Sequence, residues 1–131
     1  MDNKAYTMDA TLPLSLAQIV HRLNLDGGFQ TSVLTSEDGL TIAAYPVECD
    51  SDTTAAIVAL IQRVSNDARV LLGMSDLDEV TIYDHNCTRL VCRYIASEEK
   101  RLILAVIVLP HRPYRHLMNR AVKQIEQLLV K

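Results

Sequence analysis

Tryptophan is absent from the chain, phenylalanine occurs once, and aromatic residues make up only 5% of it. Ligand pockets are usually lined by aromatic side chains around a few convergent polar groups, so this scarcity argues against a small-molecule site. Glycine is also scarce, with Gly27, Gly28, Gly39 and Gly73 making up the full set. Each falls at a helix end or in a hairpin turn, which leaves none for a phosphate-cradling loop. No Gly-x-x-x-x-Gly-Lys motif occurs either, which excludes a P-loop nucleotide hydrolase. The cysteines are Cys49, Cys87 and Cys92, an odd number that does not make a secreted disulfide framework, so a reducing compartment is expected. No apolar run at the start resembles a signal peptide and none elsewhere reaches spanning length, so a cytoplasmic protein without membrane insertion is expected. Charge of one sign is lacking too: 13 Lys and Arg against 16 Asp and Glu give a formal net charge of -3. Nothing in that balance draws the chain to a polyanion, and nucleic acid is not expected as a partner.

What is present is a chain of 131 residues with 49% hydrophobic content, enough for one domain with one well-filled core. Residues 1–12 show neither helical nor strand periodicity and read as a flexible arm, with the domain spanning 13–131. After Pro13, apolar residues recur at helical spacing from Leu14 to Asn24 and predict a short helix stopped by Gly27 and Gly28. Phe29 to Thr35 and Leu40 to Tyr45 read as two strands joined through Ser36-Glu37-Asp38-Gly39, a hairpin in which glycine supplies the positive φ.

The longest helix is predicted over Asp52 to Gly73. Ile57, Leu60, Ile61, Val64, Ala68, Leu71 and Leu72 form one apolar stripe, which is expected to face the core. Ala56, Ala59 and Val70 line up on the other side with Arg63, Asn66 and Asp67. Two readings of this strip of small residues stay open: close approach of another helix, or alanine present for its helix propensity alone.

Glu79 to Asp84 and Thr88 to Ala96 read as a second hairpin turning through His85-Asn86-Cys87. Leu102 to Leu109 is apolar on both alternating faces, as a strand buried mid-sheet must be. Tyr114 to Leu129 carries one apolar face and closes the chain as a helix. Helix, hairpin, long helix, three-stranded meander, helix is an α+β order, with one five-stranded antiparallel sheet. The simplest closure sets the last strand between Phe29 to Thr35 and Thr88 to Ala96, and leaves Glu79 to Asp84 as an edge. The long helix covers one face of the sheet and the two terminal helices the other. That edge carries neither proline nor lysine to discourage pairing.

No catalytic, cofactor or metal site is expected. Asp84, His85 and Cys87 share a turn, but adjacent turn residues point apart, and no second His or Cys pair follows at zinc-site spacing. His111, Arg112, Arg115, His116, Arg120 and Lys123 make the last helix basic at its start. This is the unfavourable sign for a helix N-terminus, read either as a solvated face or as a surface for an acidic partner. Arg63 and Arg69 sit mid-helix, where an ion pair or docking contact is the commoner role and an arginine finger is not expected.

The first helix, the hairpin with its Asp38-Gly39 turn, the Ala-rich long helix and the pattern from Leu77 to Leu129 together resemble the roadblock family, named for dynein light chains of the roadblock type. The resemblance runs from about Leu14 to the C-terminus. It implies profilin-like or longin-like α/β/α layers and a homodimer whose edge strands continue the sheet while the long helices pack together. It also implies a scaffold or regulator of a Ras-like small GTPase, some prokaryotic members being GTPase-activating partners. On that basis the dimer contact is expected at Ala56, Ala59, Arg63, Val70, Thr81, Ile82 and Tyr83. The partner is expected to meet Arg63, Asn66, Asp67, Arg112 and Arg115. The alternative is a light-chain-type adaptor indifferent to nucleotide state. A small-molecule sensor, suggested by the profilin-like shape, ranks below both.

Overall fold

The computed structural model describes residues 15–47, 50–97 and 99–130. The N-terminal arm, Pro13 and Cys49 lie outside the described residues. Helix α1 (Leu16–Gly27) leads into β1 (Thr31–Ser36) and β2 (Thr41–Tyr45), and α2 (Ser51–Leu72) follows. Then come β3 (Glu79–Tyr83), β4 (Arg89–Ala96), β5 (Arg101–Val108) and α3 (Arg115–Leu129).

The start of α1 is set by Ser15. Its hydroxyl accepts from the Gln18 N–H at 3.1 Å while the Gln18 side-chain oxygen accepts from the Ser15 N–H at 2.8 Å. This reciprocal cap satisfies two otherwise orphaned donors and starts the helix at Leu16, while Leu14, like Pro13, lies outside the described residues. The helix also runs past Asn24 to Gly27, because Gly28 adopts a left-handed φ of 60° and its N–H closes on the Asn24 and Leu25 carbonyls. Asn24 is thereby buried, and its side-chain oxygen accepts from the Ser32 hydroxyl at 2.7 Å, tying α1 to β1.

All five strands are antiparallel in the order β2-β1-β5-β4-β3. β5 is central, as its two apolar faces require. Leu102, Leu104, Val106 and Val108 join Leu34, Val91 and Ile95 under α1 and α3, where Ile19, Val20, Leu23, Met118, Val122 and Ile125 complete the main core. Ile103 and Ala105 point the other way, to Val58 of α2 and Cys92 of β4. Each fully buried aliphatic side chain stabilises this arrangement by roughly 1.5–3 kcal/mol. An ion pair at 2.8 Å between Arg120 and Asp26 joins the two terminal helices at the surface.

The long helix departs from the expected orientation. Its buried residues are Ala55 and Val58, with Thr54, Ile61, Gln62, Ser65 and Arg69 half-buried along the same line. The stripe expected to fill the core is instead largely exposed: Ile57 46%, Leu60 54%, Val64 61%, Leu71 85% and Leu72 72%. The cause is closeness of approach. A Cβ placed on Gly39 would stand 3.1 Å from the Ala59 Cβ and 3.4 Å from the Ala55 carbonyl oxygen, so the helix meets the first hairpin at a distance that only small residues tolerate. The large apolar residues are turned aside, onto a flank that the described residues leave exposed.

Candidate interaction surface

At 100° per residue, the inward line of α2 lies between two exposed flanks. One flank bears Ala59, Gln62, Arg63 and Asn66. These residues lie in a groove with Glu37 and Asp38 of the β1–β2 turn and with Arg101 at the start of β5, so this flank looks off the turn end of the sheet. The other bears Ile57, Leu60, Val64, Ala68 and Leu71 and is directed back across the sheet. There the α2-side faces of β4 and β3 are thinly covered: Leu90 and Val80 are half-buried and Ile82 is 47% exposed. Because the helix stands above the sheet, its exposed flank and this thinly covered face bound an apolar concavity that ends at the edge strand β3.

β3 pairs on one side only, with β4, matching Val80 to Cys92, Thr81 to Val91 and Ile82 to Leu90. The outer backbone groups of Thr81 and its neighbours find no strand among the described residues. Ile82 belongs to the concavity. Thr81 and Tyr83 lie on the opposite face of the strand, where the Thr81 hydroxyl donates to the Glu79 carboxylate at 2.9 Å.

The structure separates the remaining expected residues into three places. Ala56, Arg63, Asn66, Asp67 and Val70 are exposed on the polar flank and the outer surface of α2, while Ala59 is half-buried against the hairpin turn. Arg69 is engaged within its own chain: it donates to the Asn66 side chain and the Met74 carbonyl, and reaches Asp76 at 3.9 Å, which fixes the helix end to the following loop. Arg112 and Arg115 lie on the other side of the molecule, beyond the sheet, where Arg115 stacks 5.4 Å from the Tyr114 ring. Arg63 and Arg112 therefore belong to separate surfaces.

Periodicity alone did not reveal Leu90 and the outward direction of Ile57, Leu60, Val64 and Leu71. The available signal was small size at Ala55 and Ser65, which marks the line of closest helix–sheet approach.

The thiol and turn residues are accounted for structurally. Asp84 accepts from the Asn86 and Thr88 N–H groups at 2.8 and 2.9 Å, bracing the turn that carries His85 and Cys87. Cys92 is buried between sheet and helix, and burial, with a smaller push from the Glu79 carboxylate, raises its pKa to about 12. It remains a neutral, unreactive thiol at physiological pH. Burial also raises the pKa of Tyr94. Its hydroxyl is turned toward Ser65 of α2, which acts to lower that pKa, but finds no partner in hydrogen-bonding geometry. Among the described residues no group of three His, Cys, Asp or Glu side chains is placed to hold a metal ion. No described helix is long and apolar enough to cross a membrane.

Neither a known family model nor a curated protein matches the sequence. Solved structures do match. MglB of Myxococcus xanthus superposes with a TM-score of 0.77 at 16% identity, over 87% of this chain and 94% of that one. The gliding protein MglB of Thermus thermophilus gives 0.73 at 16% identity, over 86% and 87%. A Roadblock/LC7 domain from Streptomyces avermitilis gives 0.72 at 22% identity, over 88% and 98%. The chain therefore has the roadblock fold, from α1 to α3.

Proposed function

We propose that the protein is a homodimeric interaction module that binds and regulates a Ras-like small GTPase. The observation that carries the dimer is the apolar concavity. Among the described residues Ile57, Leu60, Val64 and Leu71 face water beside a thinly covered half-sheet, and large contiguous apolar patches on protein surfaces mark interaction sites. A two-fold contact fills it with the same residues from a second copy, and pairs the two β3 edges in one step. Relative to the expectation from sequence, the helix contribution moves from Ala56, Ala59, Arg63 and Val70 to the apolar flank, while Thr81, Ile82 and Tyr83 keep their place on the edge strand.

Once that flank is buried in the dimer, Arg63, Asn66 and Asp67 remain free. Twice presented, with Glu37, Asp38 and Arg101 beside them, they form a polar surface for a partner. The partner's class comes from the roadblock resemblance, and the structural likeness to MglB supports it through the fold. The second reading, a light-chain-type adaptor, uses the same dimer and the same surface. Capture of partners from cell extract, with and without a non-hydrolysable GTP analogue, separates the two. Nucleotide-dependent recovery of a small GTPase supports regulation, whereas recovery of other proteins irrespective of nucleotide supports the adaptor.

A further inference from the structure

A second surface stands apart from the concavity and the polar flank. At the far end of β3, the β3–β4 turn and the loop between β5 and α3 enclose a shallow hollow lined by Tyr83, Cys87, Arg89, His111 and Arg112. Its walls include the only two non-glycine residues of the described chain with a left-handed backbone, Cys87 at φ 69° and His111 at φ 67°. Such conformations cost of order 1–3 kcal/mol and persist where the surroundings impose them, often at binding sites.

Arg89 is the fixed element. Its Nη2 donates to the Arg112 carbonyl at 2.7 Å and to the Leu109 carbonyl at 3.3 Å, and its guanidinium lies 5.2 Å from the centre of the Tyr114 ring. The loop is thus curled round one edge of the guanidinium. Nε is buried without a partner, and Nη1 makes no hydrogen bond to a described residue. The Arg112 guanidinium rests against Gly28 at the end of α1. Among the described residues, ion pairs use Arg69 and Arg120, and neither Arg89 nor Arg112 has a carboxylate. The nearby acids are already engaged: Glu79 accepts from the Tyr114 and Thr81 hydroxyls, and Asp84 from its own turn. In a chain of net charge -3, this places two guanidinium groups side by side with no ion pair to either among the described residues.

We infer that this hollow is an anion site that takes a phosphoryl group. Two guanidinium groups and an imidazole line it, Arg89 from the start of β4 and His111 and Arg112 from the loop after β5. One planar carboxylate is satisfied by a single guanidinium fork, whereas a tetrahedral dianion can accept from donors arriving in several directions. The hollow shares Tyr83 with the edge strand of the proposed dimer and Arg112 with the partner surface expected from sequence, but no residue with Arg63, Asn66 and Asp67, so phosphate binding is read separately from partner capture.

The test is an NMR titration of the intact protein with inorganic phosphate, and with acetate at matched ionic strength. Phosphate is expected to shift the amides of 84–89 and 109–115 saturably, and acetate is not. Arg112→Gln, an exposed change, is expected to weaken phosphate binding at least fivefold, and Arg89→Gln to do the same if its spectrum remains folded. O-phosphoserine as a second probe identifies the source: tighter binding than inorganic phosphate assigns a phosphorylated side chain, and equal or weaker binding assigns the free ion. No saturation with phosphate, equal shifts with acetate, or undiminished affinity in Arg112→Gln overturns the inference.

Discussion

Gly39 and Ala59 set how α2 lies on the sheet. With Gly39 at φ 92°, a Cβ there would stand 3.1 Å from the Cβ of Ala59, so the hairpin turn and the helix approach to a distance that any larger residue would open. Gly39→Ala is therefore expected to cost about 1–3 kcal/mol, through the positive φ and the crowded contact together. A lowered urea midpoint checks it, and an unchanged midpoint would show that the helix has room to shift.

The apolar flank and the edge strand should control association. Val64→Glu places a charge at the centre of the exposed stripe and is expected to turn the dimer into a folded monomer at micromolar concentration, read by sedimentation. Ile82→Pro should weaken association independently, because proline cannot donate to a strand ladder. If both variants keep the mass of the parent dimer, the concavity is not the contact.

Ile103→Ala and Ile61→Ala separate core from flank. Ile103 is fully buried on β5, and its truncation should cost about 2–5 kcal/mol. Ile61 is half-buried beside the concavity, so in monomeric protein its truncation should cost clearly less. Denaturation in the Val64→Glu background removes the dimer contribution from the comparison, and equal losses would sink the assignment of Ile61 to the border of the open surface.

Arg63→Glu changes an exposed charge away from the core and should leave stability within about 0.5 kcal/mol while inverting what a partner meets. The expected result is an unchanged melting curve with lost affinity for the partner captured from extract. Retained affinity would release the polar flank from its proposed role.

Cys92 is expected to make stability fall at alkaline pH. Its thiol has a folded pKa near 12 against an ordinary 9.0, so the folded state binds the proton more tightly. The resulting stabilisation is fully present below the unfolded pKa and is lost progressively as pH rises from about 9 toward 12. Tyr94, raised in the same sense, adds to the slope. Cys92→Ala should flatten the decline between pH 9 and 11, measured by urea midpoints, and an unaltered slope would show that Cys92 does not carry it.

Much of the architecture was already legible in local sequence. The two-sided apolar run Leu102 to Leu109 could only be a strand with neighbours on both sides, and β5 does pair with β1 and β4. Gly28, Gly39 and Gly73 marked chain reversals because their positive φ suits no other residue as well. Helix ends were less legible, since the Ser15–Gln18 cap and the left-handed Gly28 set them through hydrogen bonds that apolar spacing does not register.

Direction was not legible at all. The 3.6-residue period showed that Ile57, Leu60, Val64 and Leu71 share a flank, but periodicity carries no information about whether that flank meets its own sheet or another chain. Only the packed structure decided it, through the close approach of Gly39 to Ala55 and Ala59, which admits small residues beneath the helix and leaves the large ones outside. The meeting of Arg89 with the 109–112 loop, whose residues lie some twenty positions further along the chain, was likewise set by tertiary packing. The sequence by itself determined which residues travel together along each helix and strand, because that follows from bond geometry. Which of those sets faces water was decided by how closely two backbones could approach.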